Sequence, residues 1–338
     1  MKGHFNNNRD FGVEIEFLIP RGKNQQDVAN ALSGIGIPTF VEGYNHVTRT
    51  HWKIVNDGSV FGNSNFNGSN ELVSPRLSGQ DGLDELKKVC EILSILGCDV
   101  NKTCGLHIHH DVTEIVNESD AKATRFLKNL VGFVAKYEHI IYKLVAPSRL
   151  DNSPNRGYSL PCRRTYFNNS ITTRPTNEIK NALDRKVKRV VRDKHQTSTS
   201  QNLQTRRTCG MNLYKIWDRG SVEFRYHHGT INFNKIKSWI VLTNAIVNSV
   251  ESTNFVKLSY VPNGSRGLAS FRGAIGFVGR SGNSNGTPYT NDQLTKDANL
   301  YIQRRYRGFN LRENEYQRYP DYSYVSDGTF TMTANGGI

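Results

Sequence analysis

The sequence predicts an α+β protein. Three observations carry this: short segments with period-two patterning alternate with long amphipathic helices, a hairpin signal favours antiparallel pairing, and no doubly wound series of βαβ units is present. Residues 11–18 form the first strand. Val28, Leu32 and Ile35 outline a helix that glycines and Pro38 close. Residues 52–55 read as a strand ending in the Asp57-Gly58 turn, and residues 71–74 as another stopped by Pro75. The clearest helix spans 82–96, with Leu83, Leu86, Val89, Cys90 and Leu93 on one stripe and Gly97 as its stop. Residues 104–110 are a strand. Residues 119–144 are a long helix with Phe126, Leu130, Phe133, Val134 and Tyr137 in register. A basic helix follows at 177–191. Strands at 211–217 and 221–227 flank Asp218-Arg219-Gly220, the hairpin signal. Residues 234–250 are a further amphipathic helix. From 261 onward the chain turns Gly- and Tyr-rich and basic, with one helical piece near 292–306. That part is expected to be an irregular extension packed on the rest, so the organisation read is 1–260 and 261–338.

The 338 residues carry a formal charge of +14, with 36% hydrophobic and 22% charged residues. This is enough apolar material for a sizeable core and excludes wholesale disorder. No run of about 18 apolar residues occurs, which excludes a spanning helix. Glu14 and Glu16 arrive before any apolar core could form, so the start is not read as a signal peptide. Five cysteines without a CxxC pair argue against a disulfide framework and against a cysteine zinc site. The expected location is the cytoplasm, a host cell's if the source is viral. The charge attracts polyanions. Seven basic residues against Asp184 and Asp193 between Lys180 and Lys194, at helical spacing with Val187, Val190 and Val191, are either a solvated face or a phosphate-handling one. No aromatics interleave with them, as nucleic-acid stacking would require.

Three strands carry candidate chemistry. In Gly12-Val13-Glu14-Ile15-Glu16-Phe17, alternation puts Glu14 and Glu16 on one face and the apolar residues on the other. Adjacent carboxylates repel, and a divalent cation or arginines would relieve them; a wet edge strand is the alternative. In Cys104-Gly105-Leu106-His107-Ile108-His109-His110, His107 and His109 project together, a pattern that suits a metal, zinc included, or a phosphate. In Ser221-Val222-Glu223-Phe224-Arg225-Tyr226, Glu223 and Arg225 share a face, with a cross-strand salt bridge as the rival reading. Glu71 adds a carboxylate on a fourth strand. Asp57 and Ser59 sit in a turn, where turn chemistry is favoured. Together these strands read as one polar cleft floored by a sheet, equipped for nucleotide phosphates bound through divalent metal. No GxxxxGK[ST] loop is present, which excludes a P-loop enzyme. Cys104 reads as a buried structural thiol rather than a nucleophile.

The ordered set GVEIEF, WKIVNDGS, NELVSP, CGLHIHHD, RRTCGMNL and SVEFRYHHGT resembles the amidoligase family over residues 11–250. That family belongs to the carboxylate–amine ligase superfamily of glutamine synthetase and glutamate–cysteine ligase. The resemblance implies a glutamine-synthetase-like antiparallel sheet with helices packed on one face and the active site on the concave face. It implies 1–260 as the catalytic domain, with ATP and Mg²⁺ or Mn²⁺ as cofactors. A carboxylate would attack the γ-phosphate to give an acyl phosphate, and an amine would then displace phosphate. Carried over by motif, Glu14, Glu16, Glu71, His107 and Glu223 are metal ligands. His109, Asn212 and Arg225 contact the nucleotide, and Glu223, Arg225 and Arg206 or Arg207 serve the transfer step. The family acts on peptides or proteins, so the implied partners are a peptide or protein carboxylate donor and an amine acceptor. Membranes are excluded as partners, and nucleic acid is a minor alternative. Two rival functions stand beside the ligase: a zinc hydrolase built on the His-x-His strand, and a basic nucleic-acid-binding protein.

Overall fold

The computed structural model describes residues 5–149, 159–160, 162, 177–195, 208–254, 256, 261, 264–278 and 292–310. Its elements run β1 (Phe11–Pro20), α1 (Gln25–Gly34), β2 (Thr39–Val41), β3 (Trp52–Val55), β4 (Phe66–Val73), α2 (Gly79–Ile95), β5 (Gly105–Asp111), α3 (Thr113–Glu118) and α4 (Asp120–Tyr142). They continue with α5 (Asn177–Arg192), β6 (Met211–Asn212), α6 (Ile216–Arg219), β7 (Ser221–His228), α7 (Phe233–Glu251), α8 (Ser265–Ala274) and α9 (Gln293–Asn310). Seven strands form a sheet in the order β2-β3-β4-β1-β5-β7-β6. The pairs β1/β4, β3/β4 and β6/β7 are antiparallel, and β2/β3 is parallel. This is the mixed, mainly antiparallel architecture that the sequence predicts. Compactness divides the described chain into a first unit (residues 10–108 and 227–237) and a second (5–9, 109–226 and 238–310), the division falling inside β5 and β7.

In the first unit, strand register sorts the residues by face. Ile54 lies opposite Leu72 and Leu72 opposite Ile15, an apolar cross-strand row, and all three are fully buried. On the same face of β3, the indole of Trp52 donates to Glu85 of α2 at 2.6 Å, which places α2 over this face. The stripe of α2 (Leu83, Leu86, Val89, Cys90 and Leu93) is buried, as its spacing predicts. Helix α1 packs on α2, β2 and β3, and starts from a capping box in which Asn24 and Asp27 satisfy each other's backbone donors. Strand β4 begins at Phe66, five residues before the expected 71. The polar run Asn67-Gly68-Ser69-Asn70 carries no alternation to reveal it.

In the second unit, α4 is central and packs against α3, α5 and α8. Helix α5 buries Leu183, Val187, Val190 and Val191. Its Asp184 pairs with Lys188 at 2.9 Å and with Lys128 of α4, and Lys194 beyond it pairs with Asp120 at 2.7 Å. The basic run is therefore one face of an amphipathic helix, with its apolar face inward. The stretch after 261 does not begin irregularly. Helix α8 forms there and buries Leu268 and Phe271, with Phe271 5.4 Å from Tyr137 of α4 between ring centroids. Helix α9 buries Ala298, Ile302 and Tyr306 at helical spacing, close to the expected 292–306.

The hairpin needs a correction. Strands β6 and β7 pair antiparallel, Met211 with Phe224 and Asn212 with Glu223, but β6 has two residues rather than seven. The Asn212 side chain accepts from the Tyr214 amide at 2.8 Å, which starts a turn. One helical turn, α6, then follows and ends on Gly220 in the left-handed region (φ 61°). The connection is a helical turn in place of a tight hairpin loop.

Candidate active site

The face of the first unit opposite α2 is acidic. Register builds two rows on it: Val55, Glu71 and Glu16 in one, and Lys53, Val73 and Glu14 in the next. Glu16 and Glu71 are direct cross-strand partners, only 4% and 9% exposed, and like charges in that position repel. His107 of β5, 1% exposed, stands among them. Its Nδ1 lies 2.8 Å from Glu14 and 3.9 Å from Glu71, and its Nε2 lies 3.4 Å from Glu16. The Gly105 amide donates to the other Glu16 oxygen at 2.6 Å, which fixes that carboxylate against the strand. Glu14, Glu71 and His107 each present a ligand atom within 4.8 Å of the others, and so do Glu16, Asp57 and Glu71. The donor set is mostly carboxylate oxygen with one imidazole, which suits Mg²⁺ or Mn²⁺ better than a sulfur- or nitrogen-seeking ion.

Asp57 keeps its turn role, accepting from the Ser59 amide and hydroxyl at 2.7 Å each, and still reaches this carboxylate group. Sequence reading left it out of the site because the turn alone explains it. Lys53 was also missed. It is 3% exposed on the acidic face. Burial lowers its pKa from the usual lysine range, while Glu42, Glu14 and Glu71 draw it back up. The signal was available: in the period-two strand 52–55, Lys53 alternates with Trp52 and Ile54.

In the second unit, Glu223 (7% exposed) is hydrogen-bonded by Arg225 and accepts from Asn212 Nδ2 at 2.5 Å. The rival reading of this strand was a cross-strand salt bridge. The ion pair exists but runs along the strand, and the partner across it is Asn212. Arg225 is positioned from behind: its amide donates to Gly210 at 2.7 Å, and Arg149 donates to its carbonyl at 2.7 Å. Arg149 carries no motif signal. His109 is half-buried in β5. Arg206 and Arg207 lie outside the described residues.

Cys104 is fully buried, and burial pushes its thiol up to about 12. The thiolate is the reactive form, so iodoacetamide at pH 8 is expected to leave Cys104 unmodified in the native protein and to modify it in urea. Mass spectrometry of the alkylated peptides checks this, and native-state labelling of Cys104 would contradict the burial.

Buried paired carboxylates and a histidine on a mainly antiparallel sheet form a donor set that could hold a divalent cation. The chain belongs to the family described as "Putative amidoligase enzyme", whose model matches residues 7–247. No curated protein sequence matches it. Among solved structures it is similar to a bifunctional glutathione synthetase from Pasteurella multocida, at 12% identity and a TM-score of 0.44, over 94% of this chain and 50% of that one. The chain spans half the length of that protein. Among the described residues, no helix is long and apolar enough to cross a membrane.

Proposed function

We propose that the protein is an ATP-dependent carboxylate–amine ligase of the glutamine synthetase and glutamate–cysteine ligase superfamily, joining a peptide or protein carboxylate to an amine through an acyl phosphate. One observation carries the reading: Glu16 and Glu71 are buried opposite each other with Glu14 and His107 beside them. Such a group is stable when a cation offsets its charge. The reading assigns Glu14, Glu16, Glu71, His107 and Glu223 to divalent cations, His109 and Asn212 to the nucleotide, and Arg225 with Arg206 or Arg207 to the transferring phosphoryl group. Bound Mg²⁺ or Mn²⁺ supplies charge neutralisation on the phosphate oxygens.

A substrate carboxylate oxygen attacks the γ-phosphorus, and the bond to the β–γ bridging oxygen breaks to release ADP. The amine nitrogen then adds to the acyl carbon. Phosphate leaves with the former carboxylate oxygen, and the nitrogen loses a proton. The Arg225 guanidinium is held by Glu223 and its backbone carbonyl by Arg149, so its positive charge is in place before the phosphoryl group moves. His107 contacts carboxylates with both ring nitrogens, so it acts here as a member of an oxygen-rich group. That arrangement favours the ligase over a zinc hydrolase built on His107 and His109. The catalytic part is taken as residues 1–260, the segment 261–338 as an extension to it, and the cytoplasm as the setting.

The test is ADP release from ATP and Mg²⁺ in the presence of pooled amino acids and acidic peptides. The expected result is ADP formation that depends on the pool. Its absence with every pool and metal, together with stoichiometric bound zinc, would replace the ligase with the hydrolase.

A further inference from the structure

The row that carries Glu14 has a lysine at its far end. Lys53 is opposite Val73 and Val73 is opposite Glu14, so their side chains share the acidic face. Lys53 Nζ donates to the Asn45 carbonyl at 3.2 Å, the Asn45 side-chain oxygen at 2.7 Å and the Val47 carbonyl at 2.8 Å. All three acceptors belong to the connection between β2 and β3, residues 42–51. The other end of that loop is also pinned. Glu42 takes a hydrogen bond from Arg49 at 3.0 Å and one from Asn45 Nδ2 at 2.8 Å, and stands 3.0 Å from His51 Nε2. Arg49 and His51 hold the Glu42 carboxyl at about 2. Tyr44 and Val47 point outward, 63% and 52% exposed, so no apolar core holds the loop at those positions. Its conformation depends on polar anchors, and one anchor stands on the cation-ready face.

We propose that Lys53 is a positioning residue that couples the 42–51 loop to the acidic face, so that a divalent cation held by Glu14, Glu71 and His107 tightens the loop. This rests on the cation-site part of the proposed function. With no cation bound, the negative charge of Glu14 and Glu71 draws on the same ammonium group that the loop oxygens hold. A bound cation neutralises the carboxylates and repels the ammonium, which leaves the oxygens of Asn45 and Val47 as its main partners. The loop is thereby held more tightly when the face is loaded, and the surface formed by Tyr44 and Val47 is tightened with it.

Hydrogen–deuterium exchange of the full chain, with and without saturating MnCl₂ and without ATP or substrate, tests this. In the wild type, Mn²⁺ is expected to slow exchange in residues 43–50 at least about threefold. In Lys53→Met, the loop exchanges faster without the cation and does not respond to it, while Lys53→Arg restores at least half of the response. Peptides from α2 report global folding. If Lys53→Met loosens them, Asn45→Ala, which removes one of the three acceptors from the surface side, takes its place with the same expected loss of response. A loop that responds to Mn²⁺ as well in Lys53→Met as in wild type would overturn the coupling. So would a wild-type loop that stays unchanged while residues 105–111 respond. If 105–111 do not respond either, the cation-site reading fails and takes this proposal with it. The two failures are thus separable.

Discussion

Glu16→Gln is expected to lower pool-dependent ADP formation at least about a thousandfold, which corresponds to roughly 4 kcal/mol of lost transition-state stabilisation. The amide keeps an oxygen for the Gly105 donor, so the β1–β5 contact survives. What it removes is one of two facing buried charges. Relief of that repulsion is expected to raise the stability of the cation-free protein, by up to about 1 kcal/mol. The wild type, by contrast, should gain about 2.7 kcal/mol from a cation present at roughly a hundred times its dissociation constant. Thermal unfolding with and without MgCl₂ separates the two effects: the variant should unfold at the same temperature or higher without cation, and should lose at least about half of the cation-induced rise. A variant that is simply less stable under both conditions would mean that Glu16 is structural.

Gly210→Val is expected to destabilise the second unit strongly. A Cβ at 210 would sit 2.2 Å from the Tyr226 ring, closer than any real contact. Tyr226 cannot retreat, because it is fully buried and its hydroxyl is held by Glu138 at 2.7 Å and by Cys162 at 3.1 Å. Nor can the backbone move freely, since Gly210 donates to Leu160 at 2.8 Å and accepts from Arg225 at 2.7 Å. The expected cost is about 3 kcal/mol in urea unfolding. Activity should fall beyond what the loss of stability explains, because β6 carries Asn212 to Glu223. Gly273→Ala in α8 is the control. Nothing lies within 4 Å of its new methyl, so it should stabilise by about 0.5–1 kcal/mol.

The elements with strong periodicity were legible in the sequence: α2, α4, β3 and β7 lie where the apolar spacing puts them. Side-chain period alone placed Glu14 and Glu16 together, since alternation is local. Three things were not legible. The pairing of Glu16 with Glu71 depends on the register of β1 against β4, a contact between residues more than fifty positions apart. Lys53 joins the face only through the register of β3 against β4, and Asp57 follows in the turn just after β3. The collapse of β6 into a short strand and a helical turn follows from one Asn212 side-chain hydrogen bond, which competes with β propensity at 213–217 and leaves no pattern in hydrophobicity.

The proposed reaction depends on a divalent cation held by the acidic face of the first unit. Titration of the full chain with Mn²⁺, followed by the electron paramagnetic resonance signal of the free ion, tests it most directly. Binding is expected to be saturable in the wild type and to weaken at least about tenfold in both Glu16→Gln and Glu71→Gln. Binding of equal strength in all three proteins, or none in the wild type, would contradict it.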